Sequence, residues 1–300
     1  MSIWWSHFGN GSEPCVLRIR DGQSDLAIVP LRKSSSDART LEFIGGVDLT
    51  DYLGPVCDPA DEGDVGAAVG AWLVGEASGC SAIDFRSLPP GSPFAISLER
   101  TLRESGCEVI VEADGVVARL ALAPSWGQQL DLLTPKQRHE VRRKQRRFER
   151  FTGVKPSIRR SDKSSLAADV DSFITLHRRS RGRKARFFAH SVSEFFHDIA
   201  FRFAQRGELA LEFLEVGDQA LAVTFSFERG GQKFLYNMAY DPAAAELSPG
   251  IVLLSELIRQ EIDAGSRMFD LLRGDEDYKR RLGAQMRSLI RIRAVVPPDR

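Results

Sequence analysis

Three stretches hold residues whose types and spacing can do chemistry. The first is Ser248-Pro249-Gly250-Ile251, where a turn breaks directly into an apolar helix. The first amides of a helix lack partners within it and carry about half a positive charge, which suits an anion. Gly250 lets the backbone approach that anion with no side chain between, and Pro249 removes one donor while fixing the entry angle. The competing reading is that Ser248 simply caps the helix. The second stretch is FDLLRGDEDYKRRLG, which sets Asp270, Arg273, Tyr278 and Lys279 at and just beyond the carboxyl end of a strand. Ligands of open α/β sheets bind there. A Lys279 ammonium suits an oxyanion or a phosphate, and Tyr278 suits a general acid. Surface pairing, such as Asp275 with Arg280, is the alternative for these charges.

The third stretch is basic: residues 136–150 hold eight Lys or Arg against two Glu. Signs do not alternate along it as intrahelical pairs prefer. It is a candidate anion-facing surface, with Arg142 and Arg146 as substrate-binding candidates. Nearer the N-terminus, the acidic loop TDYLGPVCDPAD offers Asp51, Tyr52 and Asp58. His177 is a lone histidine ahead of a second basic cluster, HRRSRGRKAR.

Positioning these residues requires sheets and helices in a particular order. LALEFLEVGD, QALAVTFSFERGGQ and KFLYNMAYD read as three consecutive antiparallel strands joined by tight turns. A helix from Ile251 follows, ended near Gly265, and then the short buried strand RMFDLL. Strand–helix–strand in this form implies a parallel pair with a right-handed crossover. The first part of the chain repeats the plan: a hairpin through Asp21-Gly22, a strand LEFIGG, a helix DVGAAVGAWLVGEASG and a strand SAIDFRSL. The two helix-to-strand junctions align, each with an Asp (Asp84, Asp270) five residues after a glycine (Gly79, Gly265). Thr134-Pro135 opens a helix over 135–151 whose apolar face comprises Leu132, Leu133, Val141, Phe148 and Phe151.

Composition narrows the function classes. The net charge is zero across 300 residues, yet residues 136–186 carry 18 Lys or Arg against 5 Asp or Glu. That segregation argues for a localised anionic partner over general polyanion binding. Neither a membrane span nor a signal peptide is legible. Cys15, Cys57, Cys80 and Cys107 are too scattered for a metal site or a disulfide framework, so no metal is expected and the cytoplasm is the expected compartment. No Cys or Ser sits in a nucleophile motif, which points to direct transfer without a covalent enzyme intermediate.

The combination of Trp126 before the basic helix, Asp241-Pro242, Ser248-Pro249-Gly250, Phe269-Asp270, Arg273-Gly274 and Tyr278-Lys279 resembles the CelD-like acetyltransferases. These are relatives of the Fem-type peptidoglycan peptidyltransferases within the GNAT superfamily. The resemblance implies an α/β fold of two tandem GNAT-like lobes, residues 1–118 and 119–300, each a mixed, mostly antiparallel sheet flanked by helices. The chain begins almost at Trp4-Trp5, so the first lobe is expected to lack its first elements. An acyl-CoA, acetyl-CoA foremost, would bind at Ser248, Pro249, Gly250 and Ile251, although the usual Q/R-x-x-G-x-G/A loop is reduced to one glycine. Lys279, Tyr278 and Asp270 would be catalytic. Asp51, Tyr52, Asp58, Arg142, Arg146 and Arg273 would hold an amine or hydroxyl acceptor of carbohydrate, lipid or peptidoglycan-precursor type. The alternatives are an aminoacyl-tRNA donor, with the basic helix on RNA, and a degenerate GNAT fold that only binds.

Overall fold

Tight turns decide much of the strand order. Gly22, in the left-handed region at φ 54°, reverses β1 (Pro14–Asp21) into β2 (Ser24–Lys33). Gly230 and Gly231, at φ 60° and 69°, reverse β9 (Gln219–Arg229) into β10 (Gln232–Tyr240). In the computed structural model, which describes residues 1–46, 48–75, 79–179, 188 and 190–297, the chain divides into two units. One comprises residues 1–117 and 287–300, the other residues 118–286. The strand 285–295 therefore belongs mostly with the first unit, whereas the expected boundary at 118/119 assigned it to the second. Its apolar residues Ile292 and Ala294, and Val296 just after it, pack into the first core.

In the first unit, β1 and β2 pair antiparallel, β2 pairs β3 (Thr40–Phe43), and β3 pairs β5 (Ala82–Leu88) in parallel. Helix α2 (Glu62–Val74) supplies the crossover, and α3 (Pro93–Glu104) packs against it through Gly66 and Gly70. A Cβ on Gly66 would lie 2.3 Å from the Phe94 carbonyl oxygen, so only glycine permits that approach. The chain opens with a helix, Ser2–Phe8, before β1.

In the second unit, β8 (Leu209–Val216), β9 and β10 form an antiparallel meander, and β10 pairs β11 (Met268–Arg273) in parallel. Helix α8 (Pro249–Asp263) makes the crossover. The middles of β8 and β9 are buried on both faces of the sheet. Leu214, Ala222 and Leu235 face a core shared with Leu253, Leu254 and Leu257 of α8. Phe225, Phe227 and Tyr236 join an aromatic cluster with Phe173 and Phe196 of helices α6 (Leu166–Arg178) and α7 (His190–Gln205).

The basic helix α5 spans Pro135–Thr152 with a full capping box between Thr134 and Gln137. Val141 and Phe148 are buried, as the apolar-face reading requires, but Leu132 and Phe151 are 71% and 61% exposed. Phe151 lies on the last turn, where Arg147 and Arg150 cover its ring with guanidinium groups in place of a core. Among the described residues, no helix is long and apolar enough to cross a membrane.

Candidate active site

The parallel pair β10–β11 is short. It is bonded at Gln232–Met268, Lys233–Phe269 and Phe234–Asp270, and not beyond. β10 continues to Tyr240, with a register irregularity between Leu235 and Asn237 where the parallel pairing stops. β11 changes direction at Leu272, whose φ of 55° is uncommon for a bulky residue. Asp270 stabilises that turn. It is 1% exposed, and its Oδ1 accepts the Leu272 N–H at 2.8 Å. Its other oxygen is 3.3 Å from Arg119 Nε, an ion pair rather than an aligned hydrogen bond. Asp270 thus shapes the end of the strand, and it is not in the lining of the three cavities described below.

Helix α8 begins at the end of the unpaired half of β10. Ser248 is left-handed at φ 50°, and its side chain makes no capping bond. Simple capping is therefore not its role. Its carbonyl takes the amides of Ile251 and Val252, while the Gly250 N–H meets no acceptor among the described residues. A Cβ at Gly250 would lie 3.4 Å from Met238 Cε and 3.7 Å from Tyr240 Cδ1, so the glycine opens this helix end toward β10. Met238, Tyr240, Ser248, Gly250, Tyr278 and Lys144 share a cavity of about 250 Å³.

Tyr278 stands on the short helix α9 (Asp277–Arg281). Burial, reinforced by the Glu276 carboxylate, pushes its phenol well above the ordinary tyrosine range. Lys279 turns the other way. It is buried, and its ammonium donates to the carbonyls of Leu272 at 3.3 Å, Arg273 at 2.6 Å and Gly274 at 3.5 Å. Glu276 lies 3.0 Å from it. An ammonium has three donors, so these partners saturate it. Lys279 ties the end of β11 to the helix that carries Tyr278.

A larger cavity, about 960 Å³, adjoins this one through Lys144, Ile251 and Tyr278. It lies between α5 and α9, which Gln137 holds together by donating to the Arg280 carbonyl at 3.0 Å. Gln145 fixes α5 to Glu256 of α8 at 3.1 Å. A third cavity, of about 780 Å³, is lined by Arg143, Arg146, Arg147, Arg150 and Phe151.

The remaining sequence candidates are not in the lining of these cavities. Arg142 is exposed and lines none of these cavities. Arg273 ends β11. Asp51, Tyr52 and Asp58 belong to the first unit, and Asp58 accepts the Ala60 N–H within its own turn. His177 is 2% exposed and bonded to Asn237 at 2.9 Å. Residues 180–186 of the second basic cluster lie outside the described residues. Asp275 does pair with Arg280.

Lys144 escaped the reading of the sequence, as did Lys136, His139 and Arg281 of the larger cavity. Lys144 falls three residues after Val141 and four before Phe148, so it sits on the buried stripe of α5. A cation at such a position was a usable signal.

Residues 135–280 match the family model described as an acetyltransferase (GNAT) domain. No curated protein matches the chain. Among solved structures, FemX superposes with a TM-score of 0.66 at 10% identity, over 99% of this chain and 91% of FemX. L-PGS from Bacillus licheniformis gives 0.59 at 14% identity, covering 98% and 88%. The C-terminal domain of a putative lysylphosphatidylglycerol synthetase from Agrobacterium fabrum gives 0.59 at 13%, covering 95% and 85%. At such identities the likeness is one of fold. The segment that holds Gly250, Lys144 and Tyr278 together lies within residues 135–280, the stretch that matches the acetyltransferase (GNAT) domain model.

Proposed function

We propose that the second unit transfers an acyl group from an acyl-CoA, acetyl-CoA foremost, to an amine or hydroxyl acceptor. One observation carries this reading. Two parallel strands stop pairing after Phe234 and Asp270, and the freed half of β10 shares a cavity with an open Gly250 amide, Lys144 and Tyr278. The thioester would lie against β10 and the pyrophosphate at the helix end. The acceptor nitrogen or oxygen attacks the thioester carbonyl, the intermediate collapses, and the thiolate leaves. The Tyr278 phenol gives the departing sulfur its proton and regains the proton that the acceptor sheds. Burial holds the phenol in its neutral form, the form that can donate. Asp270 and Lys279 act as positioning residues through Leu272 and α9.

The acceptor contacts proposed from the resemblance are Asp51, Tyr52, Asp58 and Arg273, for an acceptor of cell-envelope or polysaccharide type. We also read the two units as copies of one fold. Both place three antiparallel strands before a crossover helix and a parallel strand, and Asp84 and Asp270 occupy the third pair of each parallel ladder. A second reading, with aminoacyl-tRNA as donor, is supported by the exposed arginine face around Phe151.

Two measurements test the leading reading. Acetyl-CoA at a hundred times its Kd should stabilise the full chain by about 2.7 kcal/mol, seen as a rise in Tm. Tyr278→Phe should lower kcat by about 10²-fold with little change in KM. Stabilisation by tRNA and none by acetyl-CoA would favour the second reading.

A further inference from the structure

We propose that His177 is a positioning residue for the donor: through Asn237 it holds β10 in the register that turns Met238 and Tyr240 into the donor cavity. The inference rests on the acyl-CoA reading above. Along β10, Lys233 and Leu235 face α8. Lys233 pairs with Glu261, and Leu235 packs into the core with Leu253 and Leu257. Side chains alternate along a strand, so Asn237 would be the next residue on that face. Instead Met238 and Tyr240 line the cavity at the start of α8, beside Gly250. Asn237 meets α6. The register explains the switch. Leu235 pairs with Ser226 and Asn237 with Phe225, so Tyr236 is an extra residue in the ladder, stacked on Phe196 at 5.4 Å. One extra residue inverts the alternation of everything beyond it.

Asn237 is the residue that ties this bulge down. Its Oδ1 accepts the Met238 N–H at 2.8 Å and lies 2.9 Å from His177 Nε2. A backbone amide only donates, so the Asn237 atom facing it is the oxygen, and His177 donates to that oxygen from Nε2. The imidazole itself is held. It is 2% exposed, with the Phe173 and Phe188 ring centroids 5.9 and 4.6 Å away. A phenylalanine would fill the same aromatic space, and what the histidine adds is one N–H aimed at the bulge. Neither His177 nor Asn237 lines the donor cavity, so both act through Met238 and Tyr240.

Calorimetric titration of the full chain with acetyl-CoA tests the assignment. His177→Phe removes the N–H and keeps an aromatic ring; it should weaken binding by about tenfold. His177→Gln returns an N–H donor and should restore most of the affinity. Asn237→Ala, which leaves α6 untouched, should cost as much as His177→Phe. Because one residue acts through the other, the double variant should be no worse than Asn237→Ala alone. Thermal unfolding checks that each variant is folded. If His177→Phe does not fold, Asn237→Ala carries the test. Parent-like affinity in Asn237→Ala, no rescue by His177→Gln, or additive losses in the double variant overturn the role of His177 and leave the donor site standing. If the parent does not bind acetyl-CoA, the acyl-CoA reading fails and this inference with it.

Discussion

Each unit contains a crossover helix with glycine as its second residue, and the two helices begin with opposite chemistry. Helix α2 of the first unit opens as Asp61-Glu62-Gly63-Asp64, and α8 of the second as Ser248-Pro249-Gly250-Ile251. In α2, Glu62 and Asp64 occupy the first turn and already answer the helix dipole, so an incoming anion is repelled. In α8 that turn carries no acidic residue, and the Gly250 amide is left open. The same contrast runs through the parallel ladders. The second pair holds Leu41 in one unit and Lys233 in the other, both 1% exposed. Leu41 fills an apolar core, whereas Lys233 meets Glu212, Glu228 and Glu261 at 2.8, 3.0 and 3.1 Å. One architecture thus supports an acid-capped, apolar version and a version with an open helix end and a buried charge cluster. The difference lies in a handful of side chains.

The largest expected effect breaks the charge cluster. Lys233→Leu makes the second ladder pair apolar, as in the first unit, but strands the buried Glu212. It should cost about 3–5 kcal/mol in urea unfolding at pH 7. The pH dependence provides a check. Burial raises the Glu212 pKa, and Lys233 opposes that rise. Without the lysine the folded pKa climbs further. An acid with a raised folded pKa contributes stability fully present below its unfolded value and lost as pH rises through the folded one. The deficit of the variant should therefore shrink on acidification toward pH 4.5, the ordinary glutamate value. A deficit independent of pH would mean that repacking, not the stranded carboxyl, is responsible.

Next comes the exchange of helix-end chemistry. Gly250→Asp should weaken acetyl-CoA binding by at least about 10²-fold, because a carboxylate then occupies and repels at the anion position. The new Cβ comes closest to the flexible end of Met238, at 3.4 Å, and meets Tyr240 at an ordinary 3.7 Å, so the fold should survive. The matching change Gly63→Asp should leave donor affinity untouched. Equal effects of the two variants would erase the functional contrast between the units.

The smallest effect concerns the aspartates of the third ladder pair. Asp270→Asn should destabilise by about 1–3 kcal/mol, since a buried carboxylate that holds the Leu272 amide and faces Arg119 is lost. Asp84→Asn should cost less than about 1 kcal/mol. Its partner Arg291, at 2.6 Å, is 27% exposed, and Asp84 itself is 20% exposed. Parallel urea titrations of the two variants would show whether the second unit alone depends on this residue.

Much of the scaffold was decided by local sequence. Glycines at tight turns, the apolar runs of the meander, the Thr134 capping box and the apolar helix after Gly250 follow from short-range sterics and from composition, and they are readable without coordinates. The open helix end was legible for the same reason. What each polar side chain does was not legible, because that depends on partners distant in the chain. Lys279 looks like a free cation until the three carbonyls of the β11 end are found around it. The partners of Asp270, the Leu272 amide and the Arg119 guanidinium, are likewise invisible until the strand end is built. Lys144 looks like one more charge on a solvated face until Ile251 and Tyr278 arrive beside it from about a hundred residues away. The strand 285–295 joins the first core only because its apolar residues find better burial there than its place in the chain suggests. Turns and periodicities depend on neighbours along the chain, so sequence determines them. Burial and ionic partnership depend on neighbours in space, and only the tertiary structure decides those.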